Sequence, residues 1–236
     1  MRTWIVASLL LTSGISPNAI LAADDLKPAL ATMDYKAKDY SRLLGMPGFS
    51  DELLKMHFQL YQGYVKNTNL LLQAFKDASM ETPLELYSYG ALKRRLGWEF
   101  DGMRLHEFYF GNLGGKTDLE KESSLYLAIA DQFGSFENWK KNFLDTAMMR
   151  GIGWVILCRD PQTGRFMNVW ISEHDLGHLA GAEPLLVLDV WEHAYLTEYG
   201  LDRAGYIQAF FKNIDWSVVQ GRFNSSPMAL QNAPRV

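Results

Sequence analysis

The sequence predicts an α+β protein with a helical first half and a mixed second half. Apolar residues recur at helical spacing over residues 50–110, and β-branched apolar runs separated by turn chemistry replace that period after residue 150. Between the two halves, Asn112-Leu113-Gly114-Gly115-Lys116 is the clearest break in the chain. With 236 residues, 48% of them hydrophobic and 21% charged, the composition is globular and excludes a disordered chain or a simple coiled coil. A net charge of −4 without a basic run argues against nucleic-acid or anionic-lipid binding. The single cysteine, Cys158, excludes an intrachain disulfide and any cysteine-only metal site.

Residues 1–23 read as a secretory signal. Arg2 is the only charge before Asp24, residues 4–11 are almost wholly apolar, and small residues lead to Leu21-Ala22-Ala23. The apolar run is short for a membrane span, although an uncleaved anchor is the alternative. The expectation is an exported chain, periplasmic or secreted. In residues 50–75, Leu53, Met56, Leu60, Tyr64, Leu71 and Phe75 share helical spacing behind a Ser50 or Asp51 cap. Residues 84–110 read as a second helix, loosened near Gly97 and Gly102, and a short connection makes the pair antiparallel. Helices follow at 120–132 and 136–149. A hairpin comes next, with strands at 152–158 and 166–171 around Asp160-Pro161-Gln162-Thr163-Gly164. A strand at 185–190 and helices at 192–199 and 204–212 complete the pattern. The expected boundaries are a signal at 1–23, a helical domain at 24–112, an α/β domain at 117–224 and a disordered tail at 225–236.

Five histidines carry the chemistry: His57, His106, His174, His178 and His193. The strongest local signal is Asp189-Val190-Trp191-Glu192-His193-Ala194-Tyr195, where a strand gives way to a helix. Asp189 and His193, four apart across that junction, can turn to one point, and a carboxylate plus an imidazole suits iron or manganese. His57 lies on the first long helix with Tyr61 and Tyr64 following it, and His106 lies near the end of the second. Antiparallel packing can bring these two together. By spacing alone, a lone histidine on an amphipathic helix is more often structural than a ligand.

These residues resemble the iron/manganese superoxide dismutases. The resemblance runs from about residue 35 to 223, and Asp189-Val190-Trp191-Glu192-His193-Ala194-Tyr195 matches the family signature in full. It is joined by His57 with Gly63-Tyr64-Val65, His106 with its aromatic tail, Gly134-Ser135-Phe136, Gly153-Trp154, Arg203, Gly205-Tyr206 and Trp216. The resemblance implies an N-terminal antiparallel helical hairpin packed on a C-terminal α/β domain with a short three-stranded antiparallel sheet, and the metal between the two. It implies His57, His106, Asp189 and His193 as ligands of one iron or manganese ion, with solvent as the fifth. It further implies Tyr64 as the gateway tyrosine, Trp154 and Trp191 as walls, and Arg203 as a guide for the superoxide anion. A homodimer in which Glu192 of one subunit meets His193 of the other is implied as well. The implied reaction converts superoxide to dioxygen and hydrogen peroxide; a relative that binds metal without turning over, or another oxidase reaction at the same metal, are the alternatives.

Three departures from the family pattern stand out. His57 and Tyr64 are seven apart where eight is usual. A histidine–tyrosine pair that usually meets across the dimer is replaced by Tyr61 and Leu196. Gly102 stands where many iron forms carry glutamine, while His174, in Ser172-Glu173-His174-Asp175, stands where manganese forms carry theirs. His174 is therefore expected to tune the metal through its solvent, with its ring in the space left at Gly102, and the metal choice leans to iron. No motif claims His178, which reads as a surface or loop residue.

Overall fold

The computed structural model describes residues 34–115 and 118–225; Tyr35 opens a single compact unit containing every element named below. The expected signal at 1–23, Lys116 of the break and all of the expected tail beyond Ser225 lie outside the described residues. Two long helices come first, α1 at Asp51–Asp77 and α2 at Pro83–Gly111. Ser50 caps α1 by accepting from Leu53 N. A reciprocal pair starts α2: Thr82 accepts from Glu85 N and Glu85 from Thr82 N, with Pro83 in the first turn, where a missing N–H costs nothing. The inner face of α1 buries Leu53, Leu54, Val65 and Leu71, each worth about 1.5–3 kcal/mol relative to exposure. The first half of α2 leaves Leu84, Leu86 and Tyr87 exposed, and its buried residues begin at Glu99. The expected loosening at Gly97 and Gly102 does not occur. α2 runs unbroken, and both glycines serve as notches for close neighbours.

Two shorter helices follow, α3 at Ser124–Phe133 and α4 at Phe136–Ala147, capped by Ser123 and Ser135. Between them Gly134 adopts φ 78°, the left-handed conformation that closes a helix. The sheet is antiparallel throughout, in the order β2-β1-β3, from β1 at Trp154–Arg159, β2 at Phe166–Ile171 and β3 at Glu183–Asp189. The central strand β1 is buried along its length, as a strand covered on both faces must be. In the β1–β3 register Trp154 lies directly opposite Asp189, so their side chains leave the sheet on one face.

The helix expected over 192–199 is split. A 3-10 turn at Glu192–Ala194 is followed by Tyr195 at φ −148° and a single helical turn, α5, at Leu196–Tyr199. The split lets the chain double back at the signature, where Trp191 N donates to Asp189 Oδ1 and His193 turns to the same carboxylate. α6 at Arg203–Lys212 and α7 at Trp216–Asn224 close the fold. The sequence pattern misses α7 because it buries only Trp216 and Val219, too few for a visible period.

Candidate metal centre

Four elements each deliver one ligand-capable side chain to the same buried point: His57 from α1, His106 from α2, Asp189 from the end of β3 and His193 from the 3-10 turn. Their ligand atoms all lie within 4.8 Å of one another. Asp189 Oδ2 is the hub, with His57 Nε2 at 3.2 Å, His193 Nε2 at 3.2 Å and His106 Nε2 at 3.8 Å. His106 Nδ1 donates to Gly102 O at 2.5 Å, which leaves the Nε2 lone pair facing the hub. The Nε2 atoms of His57 and His106 are buried without a hydrogen-bond partner. Burial lowers the pKa of His57, and burial with the neighbouring His57 lowers that of His106 further, so both favour the neutral, lone-pair form. Burial would raise the Asp189 carboxyl, but His193 and His57 outweigh it and hold the group well below the usual carboxylate range. Unshielded lone pairs aimed at a carboxylate repel; a cation among them turns each contact favourable. Three imidazole nitrogens and one carboxylate oxygen therefore fit iron or manganese.

Around the four, His174 is fully buried and fixed at both ring nitrogens. Trp154 Nε1 donates to His174 Nδ1 at 3.1 Å, and His174 Nε2 lies 2.7 Å from Tyr64 Oη. Accepting at Nδ1 makes Nε2 the protonated nitrogen, so His174 donates to Tyr64. Burial pushes the His174 imidazole down to about 4, which keeps it neutral at ordinary pH. Trp191 stacks on His174 with centroids 4.7 Å apart and on His193 at 5.8 Å. Tyr206 Oη donates to Asp189 O at 2.7 Å and shares a 3.0 Å contact with Tyr109 Oη.

The comparisons agree with this geometry. Residues 121–222 match the family described as iron/manganese superoxide dismutases, C-terminal domain. The chain is 37% identical over 182 residues to the "Superoxide dismutase [Fe]" of Cupriavidus metallidurans, covering 75% of this chain and 90% of that protein. It is 34% identical over 181 residues to the "Superoxide dismutase [Mn] 2" of Haloferax volcanii, covering 76% and 89%. A third relative, the "Superoxide dismutase [Fe]" of Aquifex pyrophilus, is 36% identical over 201 residues, covering 82% and 93%. The chain belongs to the iron/manganese superoxide dismutase family. The α+β architecture, with a helical hairpin against a three-stranded antiparallel sheet and the ligand group between them, is that expected from the resemblance.

Two expectations about this dismutase-family site need correction. The space at Gly102 does not house His174. The Tyr64 ring fills it, with Cδ1 2.6 Å and Cε1 2.8 Å from where a Cβ at residue 102 would stand. The seven-residue spacing from His57 brings Tyr64 over that notch, stacked 5.2 Å from His106. Nor is His174 free to donate to solvent at the centre, because its one N–H is directed to Tyr64. Arg203 makes its contacts beside the signature: its Nη1 donates to Gly151 O, and the guanidinium lies 6.0 Å from the Tyr195 ring. Tyr61 is buried and faces inward, its hydroxyl donating to Glu107 Oε1 at 3.1 Å and accepting from Lys38 N at 3.0 Å. Leu196 is 43% exposed. Sequence reasoning missed Trp98, whose ring meets His174 edge-on at 4.8 Å and Trp191 at 5.9 Å. Its position eight residues before His106, on the same helix face, was the available signal.

Proposed function

We propose that the chain disproportionates two superoxide anions and two protons to one dioxygen and one hydrogen peroxide, with iron or manganese held by His57, His106, Asp189 and His193. One observation carries this reading: three imidazole Nε2 atoms converge on one buried carboxylate oxygen, and two of them, those of His57 and His106, are buried without a hydrogen-bond partner. The metal, when bound, supplies one-electron exchange between two adjacent oxidation states. The chain's own residues do the rest. Asp189 brings a negative charge that offsets part of the cation's. Trp98, Trp154, Trp191 and Tyr64 wall the site against larger substrates and bulk water. Trp154 donates to His174 and His174 to Tyr64, so the Tyr64 O–H is the proton left free to point toward the substrate. The chain as a whole is acidic, so anion attraction is local, with Arg203 as its source.

Three finer readings belong to the proposal. Iron is the working metal, because His174 replaces the amide of the manganese forms and offers one N–H where an amide offers two. The protein is a homodimer in which Glu192 of one copy pairs with His193 of the other. Supporting this, the His193 side chain is 23% exposed, Glu192 beside it is exposed, and Arg203 buries Nε and Nη2 without partners. The chain is exported, on the strength of its first 23 residues. The deciding experiment is superoxide decay with purified protein loaded with iron or manganese, with and without chelator, alongside metal analysis. Activity that follows iron content supports the reading; metal-loaded protein without activity overturns it. Light scattering tests the dimer, and the N-terminal mass of the native protein tests export.

A further inference from the structure

His178 was the one histidine that no motif claimed, and its surroundings give it a use. His174 sits on a loop that leaves β2 through Ser172 and Glu173, the latter in the left-handed region at φ 57°, costly for a residue with a side chain. A single backbone pairing, Ser172 N to Leu176 O, braces that loop. His178 adds a second brace: its Nε2–H donates to His174 O at 2.8 Å. The same Nε2 lies 3.7 Å from Asp101 Oδ2 on α2. One turn earlier, Asp175 packs on Gly97, with its Cβ and Oδ2 3.3 Å from where a Gly97 Cβ would stand. Trp98, Gly102 and His106 form one i, i+4 row along α2, and Gly97 and Asp101 form the adjoining row. The second row receives the loop through Gly97 and Asp101; the first receives the His174 ring through Trp98 and Tyr64 through Gly102, and it ends at the ligand-capable His106.

We infer that His178 and Asp101 are positioning residues that hold the His174 loop on α2, and so fix the Trp154–His174–Tyr64 hydrogen-bond chain relative to the metal centre. The argument is geometric. The peptide plane at His174 sets the direction of its Cα–Cβ bond, and the ring must satisfy Trp154 Nε1 and Tyr64 Oη together. Releasing the carbonyl frees that plane to tilt. A displacement of about 1 Å at a catalytic group costs up to about a hundredfold in rate. The contacts of His178 and Asp101 are with the His174 loop and each other, away from the four ligand-capable side chains, so their replacement should leave metal content unchanged.

The turnover arm rests on the dismutase reading; a spectroscopic arm does not. In the full-length protein freed of metal, nitrogen-15 spectra report the His174 ring, with an acceptor Nδ1 and a slowly exchanging Nε2–H. His178→Leu removes the donor and keeps the bulk. It is expected to speed exchange of the His174 ring proton. In the loaded enzyme it should lower kcat about three- to tenfold, the weight of one hydrogen bond, with KM and metal content unchanged. His178→Gln, which retains an N–H donor, should restore most of both; Asp101→Asn should give a smaller change of the same kind. An unchanged His174 ring proton in His178→Leu overturns the inference even if superoxide turnover is absent from the wild-type protein. Equal losses in His178→Leu and His178→Gln also overturn it.

Discussion

A methyl group at residue 102 has nowhere to go. The Cβ of Gly102→Ala would stand 2.6 Å from Tyr64 Cδ1, inside any real contact distance. Alanine is otherwise favoured over glycine in a helix by about 1 kcal/mol, so a loss of function here marks the clash. Gly102→Ala should move Tyr64, break its 2.7 Å contact with His174 and lower turnover several-fold while metal content holds. Metal analysis and superoxide decay on one sample check it; wild-type turnover would mean that Tyr64 tolerates the shift. Cys158 gives a second test at this scale. Burial pushes its thiol up to about 12, so the thiolate is scarce at pH 8. The folded protein should resist alkylation at that pH and react once denatured, as read by mass spectrometry. The ligand-capable residues were legible in the sequence because motif and chemistry coincide at His57, His106, Asp189 and His193. The His174 contacts were not, because which ring nitrogen meets Trp154 and which meets Tyr64 depends on a loop whose path no local pattern encodes.

Between elements, the distance from His106 to Asp189 depends on how the end of α2 is tied to β3. Asn112 makes the tie, accepting from Val187 N at 3.0 Å and donating to Val187 O at 3.2 Å and Tyr109 O at 2.9 Å. Arg222 reaches over from α7 to donate to Leu185 O, Phe108 O and Asn112 Oδ1. Arg222 thereby satisfies carbonyls at a helix end and a strand that water does not reach. Removing it as Arg222→Ala strands those acceptors and should cost about 2–4 kcal/mol, measured by denaturant unfolding of the metal-free protein. A cost under about 0.5 kcal/mol, the range of an ordinary surface substitution, would show that the clamp carries no weight. The hairpin and the strands were readable because long amphipathic stretches and turn residues write their own periods. The clamp was not: Asn112 reads as part of a linker, and Arg222 falls in a helix without a visible period.

Across the whole molecule, no element can build the centre alone. α1, α2, the end of β3 and the turn after it each supply one side chain, so a metal held by all four would tie together segments more than 130 residues apart in sequence. A ligand that binds only the assembled fold stabilises it by mass action, about 4 kcal/mol at a free concentration a thousand times its dissociation constant. The metal-free protein should therefore melt lower than the loaded one, and the gap should depend on the four ligand-capable residues alone. Tyr64→Phe and His174→Gln leave those four in place and should keep the metal-dependent rise in Tm, whatever they do to turnover. His106→Ala removes the Nε2 that Gly102 O orients, and Asp189→Ala removes the hub itself. Both should lose the rise and the bound metal together. Calorimetry of each variant with and without added iron separates the cases. If His106→Ala still gains Tm with iron, the cation sits elsewhere than on the converging nitrogens; if His174→Gln loses the gain, His174 belongs among the ligands instead of behind Tyr64.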